Sequence, residues 1–412
     1  MPGYIFYGKT VVAVIEGGQI TLDPEGIEKS GMPPGWKPHI ERCLLNALPE
    51  GTRFDSLLIL ASHNSANPNP ENLIELVPYL DDLPGHFSAG DTPIPSEDKI
   101  RRYVPLPDVL PAGEIRSRLP VPCLHPQSAL RMTAKPSFSG YQDKFVAKLA
   151  VEDGRLALSL PDPAERGNVI VKPADPNHPY IGENEYVCMK LAQSLGFNVP
   201  RVFLFRQKDV ALEAERQRQH FLIERFDYGI DDEGRPQKVV TTEIASLMDL
   251  SSETKYDTTT EKLFETAEKS LPPDDMREFA RMYFFGALVH NGDMHAKNFS
   301  FILDPESRDY RLAPLYDCLC TAIYGFHDVL ALPLNGTNRP KPEAFVRFMI
   351  SWLSAEEMRA MGTLLHRNLD SALDLAFDYG EHKVKTARKR LRGAIIERTR
   401  PIVEAIEAVV QT

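Results

Sequence analysis

The chain has 412 residues, 42% of them hydrophobic and 25% charged, with a formal net charge of −11. That ordinary globular balance leaves room for about two to three domains, and the acidic excess argues against nucleic-acid binding through overall charge. No apolar run reaches the about 18 residues of a membrane-spanning helix. The five scattered cysteines, Cys43, Cys123, Cys188, Cys318 and Cys320, favour buried thiols in a reducing cytoplasm over a disulfide framework or structural zinc.

The opening residues MPGYIFYGKTVVAVIEGG lack the basic start and cleavage site of a signal peptide and read as a first strand. Strands are expected over 4–15 and 19–22, then a helix over 40–48. Residues 62–128, rich in Pro, Asn, Asp and Gly without periodicity, read as surface connections of an accessory subdomain. From residue 137 the pattern tightens. A strand is expected over 141–151, a hairpin turn at Asp153-Gly154 and a returning strand over 155–160. Val169-Ile170-Val171 leads to Lys172 and is stopped by Pro173. Residues 183–195 carry a helical period closed by Gly196, and strands follow over 201–205 and 220–226.

Beyond 242 the chain turns helical. Pro272-Pro273-Asp274 opens a helix over 276–290 whose apolar positions, Phe279, Met282, Phe284, Phe285, Leu288 and Val289, read as core. Strands over 299–303 and 310–312 flank a polar turn, and amphipathic helices over 354–369 and 370–408 follow. The basic stretch 382–400 reads as a solvated helix face, with contact to an acidic partner or DNA phosphates as the alternative.

Two hairpin strands, a lysine-bearing strand, a glutamate-bearing helix and two more strands follow the order of the small nucleotide-binding lobe of protein kinases. The expected fold class is therefore α+β and protein-kinase-like. It comprises an accessory N-terminal β-rich subdomain (1–130), a small β-rich lobe with one main helix (131–228) and an all-α C-terminal lobe (229–412).

The chemistry concentrates in Asp293-Met294-His295-Ala296-Lys297-Asn298, followed by Leu315-Tyr316-Asp317. Phosphoryl transfer needs one carboxylate at the attacking hydroxyl, plus an amide oxygen and a second carboxylate on Mg²⁺. The Asp-x4-Asn spacing matches the protein-kinase catalytic loop. Lys172 ends a buried-looking strand and is placed to meet nucleotide phosphates and a helix glutamate, Glu185 in preference to Glu183. Glu224-Arg225-Phe226 falls where an interlobe hinge would hold the adenine edge, with Phe226 over its face. His295 lacks neighbouring His or Cys ligands and reads as a packing or hydrogen-bonding group. Lys297 reads as a cation neutralising γ-phosphate charge near Asp293. Ser137-Phe138-Ser139-Gly140-Tyr141-Gln142-Asp143-Lys144 lies where a phosphate-covering loop belongs, yet its single glycine fits neither G-x-G-x-x-G nor a Walker A sequence.

Together these segments resemble the HipA family, bacterial serine/threonine kinases that act as toxins of type II toxin–antitoxin pairs. The likeness rests on SFSGYQDK at 137–144, NEYVCMKLAQSLGFNVP at 184–200, LIERFD at 222–227, and NGDMHAKNFS with LAPLYD within 291–317. LLNALPEG at 44–51 and ALPLNG at 331–336 add weaker support, whereas 52–130 departs from the family pattern. The resemblance implies ATP and Mg²⁺ as cofactors, Asp293 as catalytic base, and Asn298 with Asp317 as Mg²⁺ ligands. It places Ser139, Gly140, Tyr141, Gln142, Asp143, Lys144, Lys172, Glu224, Arg225, Phe226, His295, Lys297, Asn298, Tyr316 and Asp317 around ATP. It also implies self-phosphorylation of the loop at Ser137, or alternatively Ser139. The implied partners are a HipB-like DNA-binding antitoxin and a translation component such as an aminoacyl-tRNA synthetase as substrate. DNA contact would run through the antitoxin complex or the 382–400 helix, in the cytoplasm and without a membrane.

Two other readings share these residues. Gly292-Asp293-x-His295-x-x-Asn298 also resembles the catalytic loop of aminoglycoside- and choline-type phosphotransferases. A non-catalytic regulator acting through antitoxin and DNA would keep the same fold.

Overall fold

The structure, a computed structural model, describes residues 3–32, 34–48, 57, 73–79, 83, 87–94, 102–120, 124, 144–162, 165–206, 219–304, 306–307, 309–326, 330–378 and 382–411. Its N-terminal unit contains β1 (Gly3–Tyr7), β2 (Thr10–Glu16), β3 (Gln19–Leu22), α1 (Pro24–Lys29), α2 (Ile40–Leu45) and β4 (Phe87–Gly90). The strands form an antiparallel sheet in the order β3-β2-β1-β4. The single strand expected over 4–15 is a hairpin, because Gly8 adopts φ +61 and reverses the chain. Trp36 stacks on Phe87 with ring centroids 5.5 Å apart, at the heart of this unit's core.

A second unit contains β5 (Arg102–Tyr103), β6 (Arg116–Ser117), β7 (Phe145–Glu152), β8 (Arg155–Ser159), β9 (Glu165–Arg166), β10 (Val169–Lys172), α3 (Ile181–Ser194), β11 (Val202–Arg206) and β12 (Gln219–Glu224). Six of these strands make one sheet in the order β11-β12-β10-β7-β8-β6. Asp153 (φ 49) and Gly154 (φ 70) close the β7–β8 hairpin in the positive-φ pair that matches strand twist. Side chains alternate across β12. Phe221 and Ile223 face the core shared with α3, whereas Leu222 faces Phe145, Leu158, Leu106 and Leu119. Residues 102–120, expected within the N-terminal subdomain, thus pad the far face of this sheet, and β6 pairs in parallel with β8. Buried Asn168 fastens that padding. Its side-chain amide bonds the N–H and C=O of Leu149 and the C=O of Val104, at 2.8–3.0 Å.

The remaining chain contains β13 (Tyr228–Ile230), β14 (Pro236–Lys238), β15 (Thr241–Glu243), α4 (Ile244–Leu247), α5 (Thr260–Ser270), α6 (Pro273–Leu288), β16 (Ser300–Leu303), β17 (Tyr310–Leu312), α7 (Pro342–Met349), α8 (Ala355–Phe377) and α9 (His382–Val410). The break expected at 369/370 is absent: nothing there opposes a helix, and α8 runs on to Phe377, before Asp378-Tyr379-Gly380. The expected aromatic core of α6 is buried, with Phe279, Phe284 and Phe285 among the most enclosed side chains. A Cβ on Gly286 would lie 1.7 Å from Met294 Sδ, so only glycine lets the end of α6 sit this close under the loop that carries Asp293. The fold is mixed α+β. Among the described residues no helix is long and apolar enough to cross a membrane.

Candidate active site

The C-terminal end of β10 carries Lys172 into the junction between the sheet and the helical region. Its side chain is 6% exposed, and its ammonium donates to Glu185 Oε1 on α3 at 2.7 Å and also to Asp317 Oδ1. One buried cation thus serves two carboxylates. Burial alone would push Lys172 down, but Asp317 and Glu185 outweigh it and hold the ammonium above its usual range. Burial would raise Asp317 too, yet Lys172 and Lys144 keep it well below the usual carboxylate range. At Glu185 burial wins over Lys172, and its carboxyl is pushed up to about 7. Asp317 is therefore the anion that holds its charge.

Asp317 sits at φ 50, in the left-handed region that Asp tolerates better than bulkier residues. Neighbouring bonds fix the segment around it. Fully buried Asn184, beside Glu185 on α3, accepts from the Cys320 N–H and donates to the Cys320 C=O, both at 2.9 Å. The helix that carries Glu185 is thereby pinned to the segment that carries Asp317. Thr321 receives the Gly292 N–H on its hydroxyl at 2.9 Å, and the Asn291 amide donates to the Asp317 C=O at 3.4 Å.

The Asp293 loop begins where α6 stops. His290 turns at φ 61 and the Asn291 N–H returns to the Gly286 C=O at 2.8 Å. The Asp293 N–H donates to Asn291 Oδ1 (3.2 Å), and the Asn298 amide N–H donates to the Asp293 C=O (2.7 Å). The Asp-x4-Asn spacing therefore closes a loop on itself, and the Asn298 amide N–H is used internally while its oxygen is the acceptor end. The Tyr256 hydroxyl donates to Asp293 Oδ1 at 2.5 Å. His295 is buried and meets the Tyr256 ring edge to face, centroids 5.0 Å apart. It packs there, and its charge when protonated would favour ionised Asp317.

Lys297 is held by a carboxylate as well. Its side chain is 4% exposed, with the ammonium 2.6 Å from Glu243 Oε2 and 3.2 Å from the Asn46 C=O of the N-terminal unit. It joins that unit to the Asp293 loop, and its charge is paired with Glu243. The hinge stretch is also largely committed. Glu224 makes a two-bond pair with Arg201 (2.6 and 2.7 Å), and Arg225 one with Asp227 (2.6 and 2.9 Å). The Glu224 and Arg225 N–H groups go to the C=O of Arg201 and Asn168. The Phe226 ring lies 5.6 Å from that of Tyr316, whose hydroxyl meets Ser300 Oγ at 2.7 Å and donates to the Lys297 C=O at 3.0 Å. Ser137, Ser139, Gly140, Tyr141, Gln142 and Asp143 lie outside the described residues; Lys144, at the end of that loop, favours the ionised forms of Asp317 and Glu185.

Among the described residues no cluster of three or more His, Cys, Asp or Glu could hold a metal by itself. The Asn298 amide oxygen and the charged Asp317 carboxylate are hard oxygen donors, the set that suits Mg²⁺ when phosphate oxygens and water complete the shell. Sequence reading passed over Asn184, Thr321 and Tyr256. Each is an ordinary polar residue until folding sets it against the Asp293–Asp317 region, and spacing gives no signal for any of them.

Fold and site define a mixed α+β protein that gathers one lysine and two carboxylates beside an Asp-x4-Asn loop. The chain belongs to the HipA-like C-terminal domain family, which matches residues 136–386. Its fold is shared with a chain of the Shewanella oneidensis MR-1 complex of HipA, HipB and operator DNA. That similarity has a TM-score of 0.69 at 18% identity and covers 100% of this chain and 99% of the other. Among curated relatives, the Sinorhizobium fredii protein named "Putative kinase Y4mE" is 30% identical over 60% of this chain and 57% of its own length. A Haemophilus influenzae protein named "Putative kinase" is 29% identical over 49% of this chain and 60% of its own. The chain thus spans about three-fifths of the length of these relatives.

Proposed function

We propose that this protein is a Mg²⁺-ATP-dependent serine/threonine protein kinase acting as the toxin of a toxin–antitoxin pair. The observation that carries the reading is Lys172 held between Glu185 and Asp317, next to a closed Asp293–Asn298 loop. In this reading 131–228, with the strap 102–120 against its sheet, is the nucleotide lobe, 229–412 is a mostly helical lobe that also carries short strands, and the rest of 1–130 is an accessory subdomain. Lys172 meets the nucleotide phosphates while Glu185 keeps its ammonium oriented. Asn298 and Asp317 hold Mg²⁺, which when bound neutralises charge on the phosphates. Asp293 takes the proton of a serine hydroxyl as its oxygen bonds to the γ-phosphorus and the bond to the ADP oxygen breaks. The rings of Phe226 and Tyr316 flank the base.

The same site phosphorylates its own loop at Ser137, or at Ser139. The about two negative charges added there would repel ATP phosphates and switch the site off. A HipB-like DNA-binding antitoxin is the cytoplasmic partner, and an aminoacyl-tRNA synthetase or similar translation component is the target whose modification arrests growth. Exposed Lys385, Lys389 and Arg390 on α9 are available to an acidic partner or DNA in that assembly, whereas Arg388 and Arg392 pair with Asp370. The test is a phosphosite map by mass spectrometry after incubation with Mg²⁺-ATP, for wild type and Asp293→Ala. Phosphate on Ser137 or Ser139 in the wild type alone is expected; equal labelling of both proteins would remove Asp293 from the chemistry.

A further inference from the structure

Tyr256 belongs to none of the motifs that mark the site, yet its hydroxyl is bonded to the carboxylate at the site's centre. We infer that Tyr256 is a positioning residue for Asp293, and this rests on the kinase reading above. The bond is a charge-assisted O–H···O⁻ contact of 2.5 Å, at the short end for that class. Burial does not demand it: Tyr256 is 42% exposed, so its hydroxyl could equally bond water. The bond is therefore a matter of aim, not of rescuing a buried polar group.

The phenol is itself held in place relative to the loop. Its ring meets His295 edge to face at 5.0 Å, and the ammonium of buried Lys255 lies 5.6 Å from its centroid. The preceding turn is locked by reciprocal bonds between Ser251 and Thr254: the Ser251 N–H meets Thr254 Oγ1 at 2.8 Å and the Thr254 N–H meets Ser251 Oγ at 3.1 Å. The Ala296 N–H, inside the Asp293 loop, reaches the Lys255 C=O at 3.5 Å. The Asp293 backbone is fixed by Asn291 and Asn298, but those bonds leave the side-chain torsion undetermined. The Tyr256 hydroxyl constrains it through Oδ1.

The test uses the full chain with Mg²⁺ and ATP radiolabelled at the γ-phosphate. It follows the maximal rate of self-labelling, the ATP concentration for half-maximal rate, and the thermal midpoint. Tyr256→Phe keeps the ring and loses only the hydroxyl. It should lower the maximal rate by up to about 10²-fold, the cost of a catalytic group misplaced by about 1 Å, with the ATP half-saturation and thermal midpoint unchanged. Tyr256→Ala should label at a rate similar to Tyr256→Phe, because the lost group is the hydroxyl. A Tyr256→Phe rate equal to or above wild type overturns the role of Tyr256 while leaving the kinase reading standing. A loss confined to ATP half-saturation also overturns it. A wild type that labels neither itself nor water overturns both.

Discussion

Two buried lysines, both bonded to carboxylates, differ in what they join. Lys172 ties α3 of the sheet unit to the Asp317 segment and has more anionic partners than charge to give. Lys297 ties the Asp293 loop to Glu243 and to the Asn46 C=O of the N-terminal unit, a closed pair with its charge matched. Burial pushes the Glu185 carboxyl up to about 7, with the neighbouring Asp317 charge acting in the same direction and Lys172 against it. A lysine beside an unspent anion suits an exchange of partners with a nucleotide; one in a matched pair suits a brace. Residue type and sequence proximity to Asp293 favour Lys297 as a phosphate cation, while its pairing with Glu243 and Asn46 suits a brace.

The largest expected effects fall on the chemistry. Asp293→Ala should reduce phosphate transfer about 10²- to 10⁴-fold, the range of a general base, with the circular-dichroism spectrum unchanged. Lys172→Met should lower transfer about 10²- to 10³-fold, as loss of one preorganised charge does. It also takes the cation from both Glu185 and Asp317, so urea denaturation should show a loss of about 3–5 kcal/mol. The double variant Lys172→Met with Glu185→Leu should recover part of that stability, since Asp317 still lacks its cation, and none of the activity. Recovery of activity would break the contrast between the lysines. Lys297→Met should cost about 2 kcal/mol of stability, the worth of a hydrogen bond to a charged group. Its transfer rate should fall far less than that of Lys172→Met. A drop as deep as that of Lys172→Met would show that Lys297 serves the reaction directly.

The smallest effect concerns pH. The Glu185 carboxyl sits at about 7 in the fold, against about 4.3 unfolded, so the folded state binds this proton more tightly. The stability it contributes is fully present below the unfolded value and is lost as pH rises through about 7. Glu185→Gln removes that dependence. The thermal midpoint of wild type relative to this variant should therefore fall between weakly acidic and weakly alkaline buffer. A constant difference would contradict a raised Glu185 carboxyl.

Much of this site is legible where chemistry is local. Three β-branched residues and Pro173 mark the strand that ends at Lys172, and Asp153-Gly154 fixes the hairpin before it. The Asp-x4-Asn spacing is itself the geometry, because the Asn298 amide closes on the Asp293 carbonyl. What escaped depends on partners far away in sequence. The groups that claim Lys297 lie 54 and 251 residues away at Glu243 and Asn46, and Tyr256 lies 37 residues before Asp293. Residues 102–120 gave no period because they lie as an irregular strap with only short parallel pairings. The continuous α8 was missed because its polar residues around 369–370 mark a solvent face and not an end.

The contrast between the two lysines is tested most directly by titration calorimetry of Mg²⁺-ATP into wild type, Lys172→Met and Lys297→Met. Wild type and Lys297→Met should bind with similar affinity, and Lys172→Met should bind far more weakly. Equal weakening in both variants, or none in either, would contradict the assignment of Lys172 to the nucleotide and Lys297 to the scaffold.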